Sequence, residues 1–208
     1  YSVSTPTLTG LGEKKHLLSS KITIETFIED VVNHIIFENL NNIILVGHSF
    51  AGSVISGVAD RLKDRIQKLI YFDAMILIDG QKPFDITPKE TVEQRIELAK
   101  KFGNNISISA PSADAFGVFD IKKSLLLEEK LTPHPLSAFQ SKLILKNEVG
   151  NGIPLSYIFC TKPVYKSLES SREVVRKMKW PIFELNAGHD AMLTHPKETL
   201  NLLMKICN

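Results

Sequence analysis

Ser49 stands in the stretch Val46-Gly47-His48-Ser49-Phe50-Ala51-Gly52, where an apolar run ends and an apolar stripe at helical spacing begins. A serine at the tip of a sharp strand–turn–helix is held clear of its neighbours and forced into strained backbone geometry. Strand and helix approach closely at such a turn, so small residues are needed around it. Gly47, Ala51 and Gly52 meet that need. The pattern G-x-S-x-G is met in relaxed form, with Ala51 where the second glycine is usual. A serine hydroxyl is a poor nucleophile at neutral pH, so the chemistry also requires a base to take its proton and an acid to orient that base. The competing reading is a plain crossover turn with a buried serine.

The expected chain order is serine, acid, histidine, with the histidine on a loop after the last strand. Ile182–Leu185 reads as that strand, followed by Asn186-Ala187-Gly188-His189, so His189 is the expected base. His195 precedes Pro196 at a helix start and is read as facing solvent. His48 adjoins the serine along the strand, where alternation turns its side chain the other way. His16, His34 and His134 all precede the last strand. His189, Asp190 and His195 match no standard metal-ligand spacing, so neither a metal nor a cofactor is expected. The acid has two candidates. After the penultimate strand, Leu155–Cys160, the chain has no carboxylate before Glu169. Asp73 instead ends the apolar run Leu69–Phe72, also at the carboxyl end of a strand, where such sheets gather their ligands. Asp73 is preferred and Glu169 is its rival. The backbone N–H of Phe50, next to the nucleophile, is the expected oxyanion donor.

The elements that must position these groups are legible from periodicity. Ile24, Phe27, Ile28, Val31, Val32, Ile35 and Ile36 predict a helix from Thr23 to about Glu38. Ile43–Val46 predicts a strand buried on both faces, and Ala51 to Leu62 the helix after the serine. A further helix is expected from about Ser170 to Met178, and a last one from Pro196 to about Ile206. Alternating strands and helices imply a mostly parallel sheet with helices on both faces. Between residues 79 and 151 strand signals are few. Helices are expected from Thr87-Pro88 to Phe102 and from Ile121 to about Leu131, so this segment reads as a helical cap over a core of residues 1–78 and 152–208. Phe116, Val118, Phe119 and Leu125 to Leu127 are its candidate pocket-lining residues, although for any one of them packing the cap on the core is the stronger reading.

The 208 residues carry a net charge of +2, which gives no electrostatic case for nucleic acid or an anionic membrane. No apolar run approaches the roughly 18–20 residues that span a bilayer. Cys160 and Cys207 lie in apolar segments and are read as free thiols. No signal peptide is visible, so a cytoplasmic location is expected. The oligomeric state is open, a homodimer being compatible with the sequence.

Five stretches in order carry a family resemblance: "TPTLTGLGEKKHLL", "NIILVGHSFAGSVISGVADR", "YFDA", "LTPHPLSAF" and "LNAGHDAMLTHP". Together they resemble the α/β-hydrolase superfamily, and within it the small esterases grouped with plant methylesterases, hydroxynitrile lyases and pyrethroid-hydrolase-like proteins. The resemblance implies an α/β-hydrolase fold, a Ser49–His189–acid triad, cofactor-free acyl transfer through an acyl-enzyme, and a small, largely apolar carboxylic ester as substrate. Plant members place the acid after the penultimate strand, where this chain has Thr161-Lys162-Pro163. Family members also begin with a strand and a His-Gly loop that supplies an oxyanion donor, whereas this sequence starts at what reads as a later strand near Tyr1–Gly10. The expectation is therefore a longer natural protein or an associated piece. Two alternatives stand beside the esterase. One is a hydroxynitrile-lyase-like enzyme, which would need a pocket lysine. The other is a hydrolase-like binding protein without turnover.

Overall fold

In a computed structural model, which describes residues 1–207, the most apolar runs form four parallel strands. The elements in chain order are α1 (Ile24–Phe37), β1 (Ile43–Ser49), α2 (Ala51–Arg61), β2 (Ile66–Ala74), α3 (Lys89–Phe102), β3 (Ser107–Ile108), α4 (Ile121–Lys130), β4 (His134–Pro135), α5 (Leu136–Gln140), β5 (Leu155–Cys160), α6 (Glu169–Lys177), β6 (Ile182–Leu185), α7 (Ala191–Thr194) and α8 (Pro196–Cys207). The sheet order is β1-β2-β5-β6, with every neighbouring pair parallel.

Alternation along each strand sorts the core into two layers. Leu69 and Tyr71 of β2, with Tyr157 and Phe159 of β5, pack with Phe27 of α1, Val54 and Ile55 of α2, and Val175 of α6. Ile70, Phe72, Ile158 and Cys160 turn the other way and pack with Leu185 of β6, Ala191 of α7 and Ile206 of α8. Helices thus cover both faces, as parallel strands buried on two sides require.

Two expectations fail. β1 is not buried on both faces: it lies at an end of the strand order, and Val46 is 42% exposed. An apolar β-branched run fixes the strand but not its place in the sheet. Residues 1–8 form no strand either. Side-chain contacts hold this end instead: the Thr9 N–H and hydroxyl donate to Asp30 of α1 at 2.6 and 2.8 Å, and Lys14 Nζ donates to the Thr7 carbonyl at 2.7 Å.

The chain between β2 and β5 carries α3, α4 and α5, together with a short antiparallel β3–β4 pair that the sequence did not signal. α3 buries only Ala99, and α4 buries no residue.

Candidate active site

β1 ends at Ser49 and α2 begins at Ala51, so a single residue turns the chain from strand to helix. Ser49 has φ +54°, in the left-handed region that costs a non-glycine residue about 1–3 kcal/mol and persists where the surroundings impose it. The tight contacts fall on its flanks. A Cβ added at Gly47 would lie 2.7 Å from the Ala51 carbonyl oxygen, and one at Gly52 would lie 2.3 Å from that of Met75. Gly52 rather than residue 51 meets the neighbouring backbone, which accounts for the alanine in the relaxed motif. Phe50 is the N-cap of α2, and its N–H has no acceptor among the described residues.

The β1–β2 register slips beside Ser49: His48 pairs with Phe72 but Ser49 pairs with Ala74. Asp73 is the extra residue of this bulge, at φ +40°. The Tyr157 hydroxyl holds the distorted strand, accepting from the Ala74 N–H at 2.8 Å and donating to the Ala74 carbonyl at 2.6 Å. Asp73 is thereby aimed at the loop after β6. Its Oδ2 lies 2.7 Å from His189 Nδ1, and His189 Nε2 lies 2.9 Å from Ser49 Oγ. An ionised carboxylate can only accept, so Nδ1 carries the proton and Nε2 is left to accept from the serine hydroxyl. Asp73 and His189 are essentially fully buried, which strengthens their mutual attraction.

Several groups that position the Asp73–His189 pair were not assigned that part from the sequence. Arg172 of α6 is buried beneath the carboxylate, with Nη2 2.7 Å from Asp73 Oδ1 and 2.9 Å from the Cys160 carbonyl. Burial alone would raise the Asp73 pKa. The hydrogen bond and charge of His189, with the charge and hydrogen bond of Arg172, outweigh it and hold the carboxyl below its usual range. A sequence signal for Arg172 existed: Leu168, Ser171, Arg172 and Val175 recur at helical spacing, and all four are buried. His48 does point to the opposite face from Ser49, but the loop after β6 passes there. Its Nε2 lies 3.0 Å from the His189 carbonyl, and the two rings are 4.4 Å apart. Tyr165 stacks on the His189 ring at 4.3 Å and Phe116 at 5.6 Å, fixing its plane.

No protein-family profile matches the chain. Known proteins do. It is 31% identical over 209 aligned residues to the carbendazim-hydrolysing esterase of Nocardioides sp. (strain SG-4G), covering 95% of this chain and 85% of that one. The chain belongs to the α/β-hydrolase esterases. A putative chloroplastic methylesterase of Arabidopsis thaliana, methylesterase 14, is 35% identical over 86 residues, which are 40% of this chain and 24% of that protein. Among solved structures, an extracellular α/β-hydrolase from a Paenibacillus species superposes with a TM-score of 0.85 and 28% identity over 99% of this chain and 87% of that one. That enzyme is described as sharing structural and functional homology with tobacco salicylic acid binding protein 2.

In this esterase Glu169 is set apart from the histidine. It is half exposed, 2.8 Å from Arg176 and 3.9 Å from Arg172. His195 bonds the Thr194 hydroxyl, and His34 bonds Ser4. His48, His189 and Asp190 bring ligand atoms within 4.8 Å of one another. Both His189 nitrogens are already engaged by Asp73 and Ser49, which makes this a poor metal cradle.

Ser49 opens on a cavity of about 40 Å³ lined by Phe50, Met75, Thr87, Arg95, Phe139, Tyr165, Ser167 and Leu168. The expected lining residues are absent from it. Phe119 and Leu125 are 70% and 62% exposed, Val118 is packed away, and Phe116 lies against His189. A larger hollow, between residues 5–7, Glu13, Lys14 and α1, shares no residue with the Ser49 cavity.

His134 is wedged among Phe50, Phe139 and Phe27, at centroid distances of 4.6, 4.9 and 5.5 Å. Burial pushes its pKa down to about 4, with the Arg95 charge acting in the same direction. The folded state therefore resists protonation that the unfolded chain accepts below about 6.5. Folding stability is expected to be complete above that pH and to fall as pH drops from about 6.5 towards 4. Urea midpoints at pH 7.5, 6 and 5 check this, and His134→Phe should flatten the fall.

Proposed function

We propose that the esterase cleaves small, largely apolar carboxylic esters through an acyl-enzyme on Ser49. His189 takes the Ser49 proton as the hydroxyl attacks the carbonyl, and returns it to the departing alcohol. Asp73 holds the imidazole in the required tautomer and stabilises its charged form. The Phe50 N–H donates to the tetrahedral oxyanion. A water activated by His189 then attacks the acyl-enzyme and releases the acid. The reading rests chiefly on the relay from Ser49 through His189 to Asp73 at 2.9 and 2.7 Å. The fully buried acid and the strained serine support it.

In the same proposal residues 79–151 act as a cap on a core of residues 1–78 and 152–208. Thr87, Arg95 and Phe139 support this, since they come from that segment and line the Ser49 cavity. Phe50, Met75, Phe139 and Leu168 give the cavity its apolar character. Among the described residues no lysine lines it, which disfavours the lyase alternative. A cytoplasmic location belongs to the same proposal, supported by the free thiols of Cys160 and Cys207. No helix among the described residues is long and apolar enough to cross a membrane.

Stopped-flow hydrolysis of p-nitrophenyl acetate and butyrate tests the two-step chemistry. An initial burst of p-nitrophenolate approaching one equivalent of protein, followed by slower turnover, is expected. Turnover without any burst under conditions where deacylation limits p-nitrophenyl acetate would contradict an acyl-enzyme.

A further inference from the structure

Arg95 is the one charged side chain lining the Ser49 cavity among the described residues. It lies on α3, half-buried, with Cζ 5.0 Å from the centroid of the Phe139 ring. No carboxylate lies within ion-pair distance of its guanidinium, and no hydrogen bond engages it among the described residues. Of the three acids of α3, Glu93 lies 3.8 Å from Lys89, Glu97 lies 3.1 Å from Lys101, and Glu90 is exposed in the first turn. Asp73 is held by Arg172 and His189. His134, the titratable neighbour of Arg95, is neutral at pH 7 because burial pushes its pKa down to about 4. The cavity thus combines apolar walls with one cation that has no anionic partner among the described residues, in the same lining as the nucleophile. A partly desolvated guanidinium is ordinarily matched by an anion, and its planar fork suits a carboxylate.

We propose that Arg95 binds a carboxylate of the substrate, so that the preferred esters carry a free carboxylate on an otherwise apolar skeleton, as a monoester of a dicarboxylic acid does. The proposal rests on the ester-hydrolase reading of Ser49. Apolar walls accept the methylene chain, Ser49 meets the ester carbonyl, and the guanidinium fixes the far end. Release of the product then requires a dicarboxylate to leave the same cation, which makes product inhibition by the diacid a corollary.

The test compares kcat/KM for monomethyl glutarate, adipate and pimelate with that for neutral methyl alkanoates of matching length, read as acid release in a pH-stat. A charge-assisted pair at a partly buried site gives a preference of about 10–100-fold for the best hemiester. Arg95→Ala should collapse the hemiester-to-neutral ratio towards one, and Arg95→Lys should restore part of it. A wild-type ratio near one that Arg95→Ala leaves unchanged would overturn the proposal while leaving the esterase reading intact. Calorimetric binding of adipate separates the two further, since it needs no turnover. Adipate should bind Ser49→Ala protein and bind at least about tenfold more weakly once Arg95→Gln is added. If no ester is hydrolysed but adipate binds through Arg95, the esterase mechanism falls and the carboxylate site stands. If adipate binding is absent or indifferent to Arg95, the carboxylate site falls.

Discussion

Asp73→Asn lowers kcat by about 10⁴ with little change in KM. The amide keeps the shape and one acceptor oxygen for Arg172, so the bulge between Ser49 and Ala74 is retained. It carries no charge, so it cannot stabilise the imidazolium formed as His189 takes the serine proton. It also presents an N–H where Nδ1–H needs an acceptor, which favours the tautomer with no lone pair at Nε2 for Ser49. Steady-state hydrolysis of p-nitrophenyl butyrate, with circular dichroism to verify folding, checks this. Glu169→Gln is the companion variant and should leave kcat within about threefold, because Glu169 is half exposed and pairs with Arg176. The reverse pattern would move the acid's role to Glu169.

Arg172→Met destabilises the fold by about 3–5 kcal/mol, because it leaves the Asp73 carboxylate buried with one cationic partner removed. Asp73 and Arg172 are 0% and 3% exposed, so water cannot compensate the lost charge. Combining Arg172→Met with Asp73→Asn should cost less than the sum of the two single changes, since the double variant buries no unpaired ion. Urea unfolding of the four proteins measures the coupling. Strict additivity would mean that the 2.7 Å contact between them contributes nothing specific.

Much of this was legible in residue order because local physics decides it. Ile24 to Ile36 and Ala51 to Leu62 carry one apolar stripe each, and both became helices near the expected bounds. The runs at Leu69, Leu155 and Ile182 became neighbouring parallel strands. Ser49 and His189 were readable from the elements that end beside them, and Asp73 from its place after a buried run. What stayed hidden depends on where separate elements meet. The slipped register that turns Asp73 toward His189 exists only when β1 pairs with β2. The helical spacing of Leu168, Ser171, Arg172 and Val175 signals a buried face, but nothing local names the partner of Arg172, a carboxylate 99 positions away. Strand alternation sent His48 to the correct face but said nothing of the loop passing there. The lining of the cavity was misassigned because Phe119 and Leu125 are apolar in type, while both face outward, Phe119 just before α4 and Leu125 on it. Arg95 and Phe139 line it instead, from helices whose docking no local pattern encodes.

The central claim is that Ser49 is an activated nucleophile driven by His189. A fluorophosphonate probe, followed by peptide mass spectrometry, tests it most directly. One adduct per chain on the peptide containing Ser49 is expected, absent in Ser49→Ala and slowed by orders of magnitude in His189→Ala. Ester turnover by a protein whose Ser49 stays unlabelled, or labelling indifferent to His189, would contradict it.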